Sequence, residues 1–237
     1  LSVARALRQS DAEDQFLIAN EALAMRVMGD TAYRTLYDYD RLVRTYEIPA
    51  PRGFFTAQNF NASLAEVLRR EHKTNAHPLD QHMHNGSQTG RSLLNASEPT
   101  LAAFTAAVEG SVRDYVSRLQ PNAADPVGRR RTDKIRYASL WSVRLTNEGF
   151  QPNHVHDRGW ISSAYYVSVL PNERVKDVHA GHLKLGEPNR PAAGCGPERF
   201  IEPEVGKLVL FPSYMWHGTV PFEGSERLNL SFDVLPA

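Results

Sequence analysis

From about residue 132 onward, apolar residues recur at a period near two and are interrupted by Pro, Gly and Asn. That texture belongs to short strands joined by turns. The runs are Ile135 to Leu145, Trp160 to Leu170, His182 to Leu185, Lys207 to Phe211 and Leu228 to Val234. No helical pattern alternates with them, so the spacing predicts an antiparallel barrel or sandwich rather than a doubly wound sheet. Residues 186–199, with Gly186, Pro188, Pro191, Gly194, Gly196 and Pro197, read as a loop insert, and Cys195 as an incidental loop cysteine.

The chain before this region reads as helix. Ala4, Leu7, Phe16, Leu17, Ala19, Ala22, Leu23, Met25 and Met28 recur at roughly helical spacing, and Gly29-Asp30 is a stop. A second helical stretch is expected from Thr31 to Tyr46, ending before Pro49. A third runs through Leu64, Val67 and Leu68 with Ser63 as its N-cap. Glu98-Pro99 opens a long amphipathic segment carrying Leu101, Phe104, Val108, Val112, Tyr115, Val116 and Leu119, ended by Pro121-Asn122. The expected organisation is a helical extension over 1–48, then a β-rich domain with supporting helices over 49–237. The extension has one helix pair and no second copy, which falls short of a repeat signature.

Composition excludes several classes of function. With 27 Lys+Arg against 27 Asp+Glu, the chain lacks the basic excess of a nucleic-acid or polybasic membrane binder. No uninterrupted apolar run approaches the ~18–20 residues of a membrane span. One cysteine cannot form an intrachain disulfide, which points to a reducing, cytoplasmic compartment. The chain starts at Leu1 with no visible signal peptide, and it can be a fragment of something longer.

The histidines carry the chemistry. His154 and His156 flank Val155 just before a strand, and on an extended chain i and i+2 point to one side. His217 follows the apolar strand Leu208 to Pro212 after a short turn. It lies 217 − 156 = 61 residues from His156, room for three or four strands to go out and return. In a barrel the three imidazoles can meet as facial ligands of a divalent first-row metal. Downstream, Arg227, Asn229 and Ser231 share one strand face, and Leu228, Leu230 and Phe232 the other. A guanidinium pointing into a barrel needs an anion, and its planar fork suits a carboxylate; the alternative is an ion pair with Glu223 or Glu226.

The ordered string His154-x-His156, Ser162-Ser-Ala-Tyr-Tyr-Val167, Ala180-Gly-His-Leu183, Gly206-Lys-Leu-Val-Leu-Phe-Pro-Ser213, His217 and Arg227 resembles the iron(II)/2-oxoglutarate-dependent oxygenase superfamily. Within it, the bacterial 2-oxoglutarate oxygenase family associated with tetratricopeptide repeats is the nearest likeness. The resemblance spans roughly residues 70–237 and takes in His77-Pro-Leu-Asp-Gln81 and Gly86-Ser-Gln-Thr89. It implies a double-stranded β-helix of the jelly-roll or cupin type with Fe(II) at its mouth, held by His154, His156 and His217. His156 stands where most of the superfamily has Asp or Glu, and Asp157, one place off, faces the other way on a regular strand. By the same resemblance Arg227 binds the distal carboxylate of 2-oxoglutarate, Tyr166 donates a phenolic hydrogen bond to it, and Asn229 assists. Arg144 is a weaker candidate for the same pocket.

The implied activity is hydroxylation, with dioxygen and 2-oxoglutarate consumed and succinate and carbon dioxide released. The alternatives are a cupin-like three-histidine metalloenzyme without 2-oxoglutarate, and a non-catalytic binding module. Trp141, Trp160 and Trp216 are expected to pack around the cleft as structural groups. The substrate, a small molecule or a peptide, is not encoded in any readable motif; loops such as 85–90 and 186–199 would line its side of the pocket.

Overall fold

The computed structural model describes residues 1–72, 83–171 and 177–237, and the stretch His77 to Gln81 singled out above lies outside them. Its elements are α1 (Ser2–Ser10), α2 (Gln15–Val27), α3 (Tyr33–Leu36), α4 (Tyr39–Leu42), β1 (Arg44–Glu47), α5 (Ala57–Glu71), β2 (His84–Gln88) and α6 (Pro99–Arg118). There follow β3 (Ile135–Phe150), β4 (Ile161–Pro171), β5 (Leu183–Leu185), β6 (Arg199–Ile201), β7 (Lys207–Pro212), β8 (His217–Thr219) and β9 (Gly224–Pro236). The fold is mainly β with helices. One six-stranded sheet has the order β1-β7-β4-β9-β3-β2 and a three-stranded sheet the order β6-β5-β8. Among the described residues every strand pairing is antiparallel.

The alternation in β9 divides the larger sheet into two chemically distinct faces. Leu228, Leu230, Phe232 and Val234 are buried on one side, where the helices pack. Phe104 of α6 lies with its ring centroid 5.0 Å from Tyr165 and 6.2 Å from Phe232. The hydroxyl of Tyr165 donates to Asn61 of α5 at 2.8 Å. On the opposite face the register sets Arg227 beside Leu145, Asn229 beside Val143 and Tyr166, and Ser231 beside Trp141. This second face looks toward the smaller sheet, and the cavity described below lies between them.

Three local expectations change. The stretch Thr31 to Tyr46 is two single helical turns and then a strand. Asp38 caps α4 by accepting from Arg41 N, and Arg44 to Glu47 pair with β7. Tertiary pairing of the β-branched and aromatic Thr45 and Tyr46 outweighs their helical spacing. Ser63 is not an N-cap, because α5 starts six residues earlier, where the Thr56 side chain accepts from Asn59 N. The segment around Gly86 is the edge strand β2 rather than a loop, pressed so close to β3 that a Cβ on Gly86 would collide with the Arg144 carbonyl. Among the described residues, no helix is long and apolar enough to cross a membrane.

His72, at the end of α5, ties that helix to the sheet. Its Nδ1 lies 2.8 Å from Ser87 Oγ and its Nε2 3.0 Å from Ser142 Oγ. Ser142 Oγ itself donates to the Asn229 carbonyl, so it accepts from Nε2–H, and the ring sits neutral between two hydroxyls. Burial first, then the nearby Arg144 cation, pushes its pKa down to about 4.

Two consequences can be measured. Phe104→Ala removes a fully buried ring from the helix–sheet seam and should cost about 3–5 kcal/mol in denaturant unfolding. For His72 the folded pKa lies below the ordinary value of 6.5, so from about pH 6.5 down to about pH 4 the unfolded chain takes up a proton that the native chain refuses. Stability should therefore fall as pH drops through that window, and the fall should be smaller in His72→Gln when both are unfolded at matched pH.

Candidate metal centre

The two segments that carry the histidines are joined backbone to backbone. His154 N donates to His217 O at 2.8 Å and His217 N to His154 O at 3.0 Å, an isolated antiparallel bridge continuing the edge of β8. Gly218 permits this approach, since a Cβ there would collide with Asn153 Oδ1 and the Gln151 carbonyl. The turn before His217 is braced by the amino-terminal segment. The Tyr37 hydroxyl accepts from Trp216 N at 3.0 Å and donates to Tyr214 O at 3.1 Å, and Tyr214 donates to Leu36 O at 2.9 Å.

His154, His156 and His217 thereby converge, each offering one ring nitrogen within 4.8 Å of the others. The other nitrogen of each ring is already committed. His154 Nδ1 lies 2.8 Å from Pro152 O, His217 Nδ1 2.8 Å from Met215 O, and His156 Nδ1 2.7 Å from Asp233 Oδ1. Carbonyl and carboxylate oxygens only accept, so these nitrogens carry the protons, and Nε2 is the nitrogen each ring can turn toward an ion. Burial, then the neighbouring His154 and His156, holds the His217 pKa well below the ordinary imidazole value, as a neutral ligand requires. At His156 burial also lowers the pKa, but the Asp233 carboxylate outweighs it and the net direction is upward. This donor set fits a divalent first-row transition metal. Asp157 has its carboxylate in solvent, 72% exposed, and is outside the cluster.

A cavity of ≈ 540 Å³ opens beside the three rings. Its walls include Trp141, Phe211, Gln88, Leu183 and Asn229, with Arg227 at depth and Asn189 and Arg190 at the mouth; no carboxylate lines it among the described residues. Arg227 is 1% exposed and pairs with neither Glu223 nor Glu226. Its Nη1 donates to Thr219 Oγ1 at 3.0 Å, and its guanidinium carbon lies 5.1 Å from the Tyr166 ring centroid. Arg227 Nε, Tyr166 Oη and Asn229 Oδ1 are buried without hydrogen-bond partners among the described residues. Unsatisfied polar atoms of this kind are costly, and two of the three, the Arg227 N–H and the Tyr166 hydroxyl, are donors that a buried anion could satisfy. Burial lowers the Arg227 pKa, and the nearby Tyr166 partly restores it.

Arg144 requires correction. It sits one residue out of phase with Val143 and Leu145, on the helix-covered face, and its Nε binds Glu226 Oε2 at 2.9 Å. Arg69 binds the same carboxylate from α5, so Arg144 belongs to a structural ion-pair cluster away from the cavity. Thr219 and Asp233 were missed as contributors. Both could have been suspected, Thr219 from its place two residues after His217, and Asp233 from its phase with Arg227, Asn229 and Ser231. Of the tryptophans, Trp141 lines the cavity and packs on His156, with centroids 5.5 Å apart. Trp160 and Trp216 are buried, Trp160 bonding Val127 O and Trp216 meeting Phe16. The loop 186–199 is tethered by Arg26 of α2, which donates to the carbonyls of Gly186, Gly194 and Gly196.

Residues 139–233, about two-fifths of the chain, match the family model described as "Putative 2OG-Fe(II) oxygenase". The fold is shared with solved structures of low identity. A Pseudomonas putida prolyl-4-hydroxylase is 18% identical, with 86% of this chain and 97% of that one covered at a TM-score of 0.55. HygX from Streptomyces hygroscopicus, solved with nickel and 2-oxoglutarate bound, is 16% identical over 86% and 87% at 0.54. The viral collagen prolyl hydroxylase of Paramecium Bursaria Chlorella virus-1 is 11% identical over 83% and 97% at 0.53. No curated protein matches the sequence. The matched segment is the strand-rich part of the chain that carries His154, His156, His217 and Arg227.

Arg227 provides a direct check. Arg227→Ala should weaken 2-oxoglutarate binding by about 1.5–3 kcal/mol, the scale of a hydrogen bond to a charged group. Titration of the metal-loaded protein measures it, and unchanged affinity would move the anion site elsewhere.

Proposed function

We propose that this protein is an iron(II)- and 2-oxoglutarate-dependent oxygenase of the hydroxylase type, built on a double-stranded β-helix whose mouth is the His154, His156 and His217 cluster. The observation that carries the reading is the pairing of three converging imidazoles with a buried guanidinium in one cavity. When bound, iron(II) with 2-oxoglutarate and dioxygen supplies oxidative decarboxylation to succinate and carbon dioxide, coupled to oxidation of a substrate C–H bond. The chain's own contribution is positioning. Arg227 and Thr219 anchor the distal carboxylate, Tyr166 donates its hydroxyl proton toward it, and Asn229 flanks it from the same strand face. Phe211, packed against His217 with centroids 4.7 Å apart, and Trp141 keep the ligand side apolar and exclude water.

Arg227 also separates this reading from a three-histidine metalloenzyme that uses no 2-oxoglutarate, for which a buried and half-satisfied guanidinium serves no purpose. The solved structures of similar fold include a Trichoplax adhaerens prolyl hydroxylase in complex with a peptide fragment and HygX with hygromycin B bound, so this architecture holds both a peptide and a small molecule in other proteins. Here the absence of a carboxylate from the lining among the described residues, with Arg190 at the mouth, favours a neutral or anionic group over a cationic one.

His217→Ala should abolish stoichiometric iron binding and, with it, succinate release from 2-oxoglutarate. Elemental analysis of anaerobically loaded protein is the test, and full iron retention would mean the ligand set is wrong.

A further inference from the structure

In a facial site of two histidines and one carboxylate, the carboxylate offsets part of the ion's charge. Here all three donors are imidazoles, but they are not equivalent. His154 and His217 are backed by the neutral carbonyls of Pro152 and Met215. His156 is backed by a carboxylate, with Nδ1 2.7 Å from Asp233 Oδ1, and both side chains are 16% exposed. Ser162 Oγ donates to the same Asp233 oxygen at 2.7 Å, while lying 2.9 Å from His156 Nδ1 and 2.9 Å from Ser213 Oγ. Asp233 is thus held from two sides, by a donor on β4 and by the ring it supports. It stands on β9 in phase with Ser231, Asn229 and Arg227, so the strand that carries the anion-binding guanidinium also delivers this carboxylate.

We propose that Asp233 supplies, one imidazole further from the ion, the negative charge that the third ligand position lacks. It acts as a positioning residue in two ways. It holds the proton on His156 Nδ1 so that Nε2 faces the ion, and its charge lowers the total of the assembly by one, favouring the ferric over the ferrous state relative to a neutral backing group. The inference rests on His154, His156 and His217 being the iron ligands.

Asp233→Asn is the informative change, because the amide oxygen can still accept from Nδ1–H while the charge is gone. Iron(II) affinity and the Fe(III)/Fe(II) potential would be measured anaerobically, without 2-oxoglutarate, for wild type, D233N and the double variant H156D/D233N. D233N should bind iron(II) about 10–100-fold more weakly, the usual cost of losing an outer-sphere partner, and its potential should rise. H156D/D233N moves the carboxylate to the ligand position and leaves an amide behind it, so its affinity should return to within about tenfold of wild type. If D233N only melts earlier, with affinity and potential unchanged, Asp233 is a brace and the inference is overturned alone. Wild-type protein that holds no stoichiometric iron would overturn the ligand reading and this inference together.

Discussion

The reciprocal pair of backbone hydrogen bonds between His154 and His217 is the constraint on which the site depends. The two residues are 217 − 154 = 63 positions apart, and the chain between them forms β4, β5, β6 and β7 before returning. Such a long closure costs conformational entropy, although the cost grows only slowly with loop length. It is offset by sheet pairing and by burial of Leu208, Val209, Leu210 and Phe211 in the strand that leads back. Because the bridge joins peptide groups and not side chains, the two rings are set at a fixed distance before any ion arrives. The glycine at 218 is what lets the two backbones come that close.

Strand β9 shows how one stretch of chain serves stability and chemistry at once. Its even-phase residues Leu228, Leu230 and Phe232 are buried against the helices, while Arg227, Asn229 and Ser231 line the cavity and Asp233, in the same phase, stands behind His156. Burying a guanidinium to 1% exposure is expensive unless an anion or strong acceptors meet it, and among the described residues Thr219 Oγ1 is the acceptor that meets it. Arg227 Nε, Tyr166 Oη and Asn229 Oδ1 stay without partners among the described residues, and the apolar face of the same strand bears the cost of keeping them in place.

The amino-terminal helices do more than extend the domain. Tyr37 and Leu36 grip the turn that ends at His217, Gln15 N bonds the Asp157 carbonyl, and Arg26 holds three carbonyls of the loop beside the cavity mouth. Strand β1 joins the larger sheet directly. The ligand-bearing turns are therefore clasped from outside by residues that come first in the chain.

The strands rich in alternating apolar residues, the long helix opened by Glu98-Pro99, the three histidines and Arg227 were legible in the sequence, because period-two alternation and isolated buried charges are local signals. Strand β1 and edge strand β2 were not, since their pairing partners lie far along the chain and their own residues fit helix or loop nearly as well. Arg144 shows the same limit from the other side. A one-residue difference in phase sends it to Glu226 instead of the cavity, and only the register of β3 against β9 decides that. The sequence by itself supplied the three histidines and Arg227 as candidates, together with Arg144, and passed over Thr219 and Asp233. Tertiary structure decided which of them meet, and which oxygen stands behind each imidazole, because those distances are set by long-range pairing that no local pattern encodes.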